Sequence, residues 1–198
     1  MNRKWLVPGV IIGVLVLLAA VVVGGYNGLV GQRENVNNKF SNLESQYQRR
    51  ADLVPNLVST VKGAANFEQD TLTQVTEARA KATSISIDPS NATPEQLAQY
   101  QQSQGELSQA LGRLLAVTEN YPELKAVAAF QDLQVQLEGT ENRIAVARQD
   151  YNGAVTTYNT SISRFPANVT AALFGFDRFE TFKADQGAEN APAVEFNS

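Results

Sequence analysis

Residues 5–26 read WLVPGVIIGVLVLLAAVVVGGY, and residues 27–51 continue NGLVGQRENVNNKFSNLESQYQRRA. The first stretch holds no charged side chain, and roughly 20 apolar residues rising 1.5 Å each are what a hydrocarbon core of about 30 Å requires. It predicts a transmembrane helix. Trp5 and Tyr26 stand at its two ends, where amphipathic rings favour the headgroup region, and Arg3 and Lys4 precede it, so these four residues mark the membrane interface. The apolar run exceeds the about 7–15 residues of a cleaved leader, and no clean Ala-x-Ala site precedes a polar start, so the helix is read as an uncleaved anchor. Arg3, Lys4 and the amino terminus outweigh Arg33 and Lys39 beyond the span, which predicts a cytoplasmic N-terminus and an extracytoplasmic domain. Gly9 and Gly13 make a small-xxx-small spacing that lets such helices approach closely, although glycine is common in them anyway.

Beyond the anchor the apolar residues fall at alternating steps of three and four, the mark of helices that bury one seam against neighbours. Val36, Phe40, Leu43, Tyr47, Val54, Val61, Ala65, Leu72, Val75 and Ala82 form the first seam. With only Gly28 and Gly31 between Asn27 and Ala51, this helix is expected to continue from the anchor without a loop. Pro55 removes a helical hydrogen bond, which predicts a kink or a true break there. Thr93-Pro94-Glu95-Gln96 reads as an N-cap, a proline at the first helical position and a capping-box glutamine after the polar turn Asp88–Asn91. A second helix follows, with its seam at Leu97, Tyr100, Gln104, Leu107, Leu111, Leu114 and Thr118. After a tight turn at Tyr121-Pro122, a third runs through Phe130, Leu133, Leu137, Ile144, Ala147, Tyr151, Ala154, Tyr158, Ile162 and Phe165. The pairs Tyr151-Asn152 and Tyr158-Asn159, one heptad apart, are assigned to that seam.

The expected fold is therefore all-α: an N-terminal transmembrane helix continuous with an elongated, antiparallel up-and-down bundle of three long helices plus a short C-terminal one within residues 167–182. The domain boundaries are 1–4 (tail), 5–26 (anchor), 27–183 (bundle) and 184–198 (a small, acidic, disordered tail). The 198 residues suffice for one sizeable core. A net charge of −4 with no dense basic stretch argues against a nucleic-acid partner. Cysteine and histidine are both absent, which excludes disulfides, thiolate chemistry and histidine-based acid-base or zinc sites. No catalytic residue, cofactor site or metal site is assigned.

Tyr26-Asn27-Gly28-Leu29-Val30, the run Arg49 to Val58 (RRADLVPNLV), Val61-Lys62-Gly63, Glu119 to Lys125 (ENYPELK) and Glu138 to Ile144 (EGTENRI) resemble the LemA family. So do Ala147-Arg148, Phe165-Pro166 and Phe174-Gly175-Phe176, in order along nearly the whole chain. The resemblance implies a bacterial single-pass protein of the inner membrane with a helical-bundle domain. It also implies a theme of membrane organisation, since relatives in magnetosome-forming bacteria are associated with building that organelle's membrane. The family usually carries histidines at Ala51 and just before Glu68 and a tryptophan at Phe40, so any histidine chemistry of the family has no counterpart here.

Two groups of residues carry the remaining expectations. Arg49, Arg50, Glu68, Arg79, Glu138, Glu141, Arg143 and Arg148 lie on or beside the seams. A carboxylate pair doing acid-base or metal work is one reading, but interhelical ion pairs that fix helix register account for them better, because arginines stand beside the glutamates and no reactive group accompanies them. Leu173, Phe174, Phe176, Phe179 and Phe182 either close the open end of the bundle or form an apolar patch facing lipid or another subunit. A continuous first helix places them far from the membrane, and a break returns them to it. The unequal helix lengths leave seam without a partner, which predicts a homo-oligomer. The functional expectation is a non-enzymatic, membrane-anchored scaffold that self-assembles or organises the cell envelope. Its alternative is an accessory or sensory subunit docking a membrane protease, a transporter or another envelope protein.

Overall fold

In the computed structural model, which describes residues 6–63 and 68–183, α1 runs unbroken from Leu6 to Lys62, 57 residues and about 85 Å at 1.5 Å per residue. Its first part is apolar enough and long enough to cross a membrane, with a mean hydropathy of 2.6, and none of that window is buried by the described residues. Burial begins where the heptads begin. Leu29, Val36, Phe40, Leu43, Tyr47, Val54 and Val61 all face inward. Arg3, Lys4 and Trp5, Ala65 and the 184–198 segment lie outside the described residues.

The chain then folds back. Gly63 sits in a turn, and α2 (Gln69–Ser84) returns antiparallel along α1 and α3. The first helix, expected to be kinked or broken near Pro55, is thus two helices, and the interruption falls eight residues after Pro55, which α1 carries in its interior. Burial drives the reversal: doubling back puts Leu72, Val75 and Ala82 into one core with Val54, Leu57 and Val61 of α1 and Leu107, Leu111 and Leu114 of α3, each fully buried apolar side chain of Val or Leu size contributing roughly 1.5–3 kcal/mol.

The Asp88 turn closes by a hydrogen bond from the Ser90 amide to its carboxylate (2.9 Å) and by one from the Asn91 side chain (2.7 Å), while Ser90 Oγ reaches Asn37 of α1 (3.1 Å). At Thr93 the expected capping box forms in both directions, at 3.2 and 2.9 Å, and starts α3 (Pro94–Thr118). A single turn, α4 (Pro122–Lys125), buries Leu124 and leads into α5 (Ala128–Ser163). α5 packs antiparallel along the part of α1 beyond the apolar run, with Lys39 paired to Asp150 at 2.8 Å.

α6 is short, Ala167–Phe174, and ends where Gly175 takes a left-handed conformation (φ +69°) and the Phe176 amide bonds back to the Ala171 carbonyl at 3.0 Å. Residues 176–183 then run extended along α5, so the expected helical extent to residue 182 is cut short there. Phe165, expected on the seam of α5, is 83% exposed because α5 has already ended at Ser163.

Two apolar cores result. The lower one, next to the anchor, holds Phe40, Tyr47, Tyr100, Tyr151, Tyr158, Phe179 and Phe182. The upper one is aliphatic apart from Phe130. Between them lies a polar layer.

Candidate functional site

The polar layer is built around Arg50, whose position on the buried face of α1, between Tyr47 and Val54, leaves its side chain only 1% exposed. One terminal nitrogen donates to Ser108 Oγ at 2.6 Å and to the Glu141 carboxylate at 3.1 Å. The other donates to the Gln104 backbone carbonyl at 3.0 Å and to its side-chain oxygen at 2.7 Å. The guanidinium carbon also lies 5.2 Å from the centre of the Tyr47 ring, a cation–π distance. Gln104 passes the connection on, donating its amide to the Ala82 carbonyl at the end of α2 at 3.0 Å. One arginine thus ties α1 to α3 and α5, and through Gln104 to α2.

A buried guanidinium is tolerated only when paired and hydrogen-bonded. Glu141 supplies the counter-charge from a side chain that is 37% exposed, so the pair sits at the rim of the core. The layer opens into a cleft lined by Gln101, Gln104, Ser108, Glu141, Arg148 and Lys183 among others. Both terminal nitrogens of Arg50 donate to neighbouring helices, while its buried Nε has no hydrogen-bond partner among the described residues, and the planar fork makes this a register lock between helices.

The other charged residues singled out in the sequence are dispersed. Arg79 donates its Nε to the backbone carbonyl of Ala51 at 2.8 Å. Arg143 reaches Thr140 Oγ1 one turn earlier on its own helix at 3.5 Å, and Glu138 accepts from Gln134 at 3.1 Å. Arg49 is exposed, Glu68 is exposed at the start of α2, and Arg148 is half-buried on α5.

A second feature was not visible beforehand. Asn159 donates to the Phe179 carbonyl at 2.8 Å and accepts from the Phe179 amide at 3.1 Å. Asn152 does the same to Phe182 at 3.0 Å in both directions, and Gln101 to Lys183 at 2.9 and 3.2 Å. Three side-chain amides thereby grip the extended 179–183 strap as a neighbouring strand would. The Tyr-Asn repeat was the available signal. Seven helical residues advance about 10.5 Å, and three extended residues about 10 Å, so asparagines one heptad apart meet strap residues three apart. The tyrosines of the same pairs complete the grip: Tyr151 donates to the Glu180 carbonyl at 3.0 Å and stacks edge-on against Phe182 at 5.4 Å, and Tyr158 against Phe179 at 5.1 Å.

The five C-terminal apolar residues divide accordingly. Phe179 and Phe182 are core, Phe176 is half-buried, and Leu173 and Phe174 are exposed beside Tyr26 at the end of the anchor, with the Phe174 and Tyr26 ring centres 4.9 Å apart.

A model of the LemA family matches residues 39–196, which takes in the Arg50 layer, the amide grip and both cores. The chain belongs to the LemA family. Among relatives of this LemA-family chain, the magnetosome protein MamQ 2 of Paramagnetospirillum magneticum is 31% identical over 203 residues, covering 93% of this chain and 74% of the relative. The magnetosome protein MamQ of Magnetospirillum gryphiswaldense is 29% identical, covering 91% and 72%. The protein LemA of Metamycoplasma hominis is 25% identical, covering 84% and 72%.

Proposed function

We propose that this LemA-family chain is a membrane-anchored, non-enzymatic scaffold: a rigid bundle held upright on a bilayer, organising the envelope through self-association or by docking other envelope proteins. The observation that carries this reading is α1 itself, one 57-residue helix whose apolar first part is not buried by any of the described residues and whose second part is the spine of both cores. A helix shared in this way transmits the orientation of the anchor to the bundle without a hinge. The Arg50 layer supports the same reading, because it fixes four helices in register. Relatives named as magnetosome proteins support a role at a membrane. The proposed placement is the bacterial inner membrane, with the N-terminus cytoplasmic and the bundle outside.

Self-association belongs, on this reading, to the anchors. The described seams of α1 and α5 are covered by α2, α3 and the strap, whereas Val10 to Leu18 of α1 are exposed on every side. Full-length protein reconstituted in lipid and imaged by electron microscopy, with its mass measured in detergent, tests the proposal. Regular assemblies from the pure chain are expected. A strictly monomeric mass together with stoichiometric capture of one membrane partner would replace the scaffold with an accessory subunit.

A further inference from the structure

Residues 165–176, FPANVTAALFGF, hold no charged side chain and are bracketed by Arg164 on one side and by Asp177 and Arg178 on the other. Thr170 and Ala171 turn inward. Asn168 is the polar outward residue, and the large outward side chains are apolar: Phe165 is 83% exposed, Leu173 68%, Phe174 53% and Val169 47%. Val169 and Leu173 are spaced four apart on one side of α6, and Phe165 stands exposed just before its start.

The position of this patch matters as much as its composition. α6 docks on α1 at the last turn of the apolar run. A Cβ placed on Gly25 would come within 3.0 Å of Thr170 Oγ1, so glycine permits the close approach, and Tyr26 meets Phe174 and Phe176 at 4.9 and 5.6 Å. If α1 spans a bilayer with Tyr26 at its boundary, α6 lies at the depth of the headgroups and its apolar side faces the acyl chains.

We infer that α6, with Val169, Leu173 and Phe174 outward and Phe165 exposed just before its start, is a second membrane contact that lies in the bilayer surface beside the anchor. This rests on the spanning role of α1. Such a helix enters the headgroup boundary by about 5–10 Å, and Arg164 and Arg178 at its flanks suit phosphate-bearing headgroups. A spanning helix alone fixes depth and leaves rotation about its own axis free. A lateral foot fixes the rotation as well, so the bundle presents one side to its surroundings.

The chain has no cysteine, so single labelling sites are available. Three full-length variants, Val16→Cys, Leu173→Cys and Val135→Cys, each carry an environment-sensitive fluorophore in phosphatidylcholine vesicles doped with nitroxide at the headgroup or deep in the acyl chain. Val135 is 69% exposed on α5, on the order of 45 Å along the bundle from the anchor. Loss of Leu173 fluorescence to the headgroup nitroxide more than to the deep one, with Val16 quenched by the deep nitroxide and Val135 by neither, is expected. Quenching at Val16 without any at Leu173 overturns the second contact and leaves the anchor intact. So does self-quenching between Leu173 labels without lipid quenching, which would assign the patch to a second copy. A Val16 label untouched by the deep nitroxide overturns the spanning reading and this inference with it.

Discussion

Arg79 donates its Nε to the carbonyl of Ala51, 2.8 Å away, and Ala51 is the residue four positions before Pro55. A proline inside a helix has no N–H to give to that carbonyl. Arg79, arriving from α2, takes the place of the missing donor, which lets α1 run through Pro55 to Lys62 and binds the returning helix to it at that point. Removing the side chain should leave the carbonyl unserved. Arg79→Met is expected to cost about 1–3 kcal/mol, read from urea unfolding of the full chain in detergent. In a Pro55→Ala background the alanine amide restores the helical bond, and the cost of Arg79→Met should shrink. Equal costs in both backgrounds would remove the coupling.

Glu141→Gln should destabilise the fold by about 1–3 kcal/mol, below the usual loss for breaking a fully buried pair because the carboxylate is part exposed and screened. Arg50→Lys should also be destabilising, since one ammonium cannot serve Gln104 on one side and Ser108 and Glu141 on the other. A double-mutant cycle on Arg50→Met and Glu141→Gln is expected to show a coupling of about 0.5–3 kcal/mol. Additive effects would mean that the pair does not act as a unit.

Asn159→Ala and Asn152→Ala should each release part of the strap without unfolding the helices. Hydrogen exchange reads this directly: the amides of Phe179 and Phe182, hydrogen-bonded to Asn159 and Asn152, should be protected in the parent chain, and each variant should speed exchange at its own partner first. Asn159→Asp keeps the oxygen that accepts from the Phe179 amide and loses the donor to its carbonyl, so it should fall between alanine and the parent. Unchanged exchange in Asn159→Ala would show that the aromatic contacts hold the strap by themselves.

Burial raises the phenol pKa of Tyr100, Tyr151 and Tyr158 above the ordinary value near 10, with the charge of Glu180 adding to the effect at Tyr151. The fold favours the neutral phenols, so above about pH 10 the unfolded chain releases protons that the folded chain keeps. Stability from these residues is complete below that pH and declines as the pH rises past it. The thermal midpoint of the full chain should fall in this alkaline range, and phenolate absorbance should lag behind that of free tyrosine until the helices melt. Full ionisation of all six tyrosines with the helical signal intact would contradict this.

The anchor, the seams and the start of α3 were legible in the residues because each depends on local information: an uncharged run, a spacing of three and four, and a capping box. Every seam residue expected on the second helix is buried, Gln104 and Thr118 included. The family was legible for the same reason, as motifs in order. What tertiary structure alone decided is where the long first helix turns back, which arginine lies between the cores, and where the C-terminal aromatics go. Heptad spacing reads alike on one helix or two, and Pro55 is a weak breaker when an arginine from elsewhere serves the carbonyl it abandons. Among eight charged residues near the seams, Arg50 became the central one because α3 and α5 bring Gln104, Ser108 and Glu141 to the same height, a meeting of residues far apart in the chain. The Phe residues divide between the strap and the exposed end of α6 because α6 ends before Gly175 and the extended chain beyond it finds amides spaced to match. Local pattern determines which faces are buried, and long-range packing determines against what.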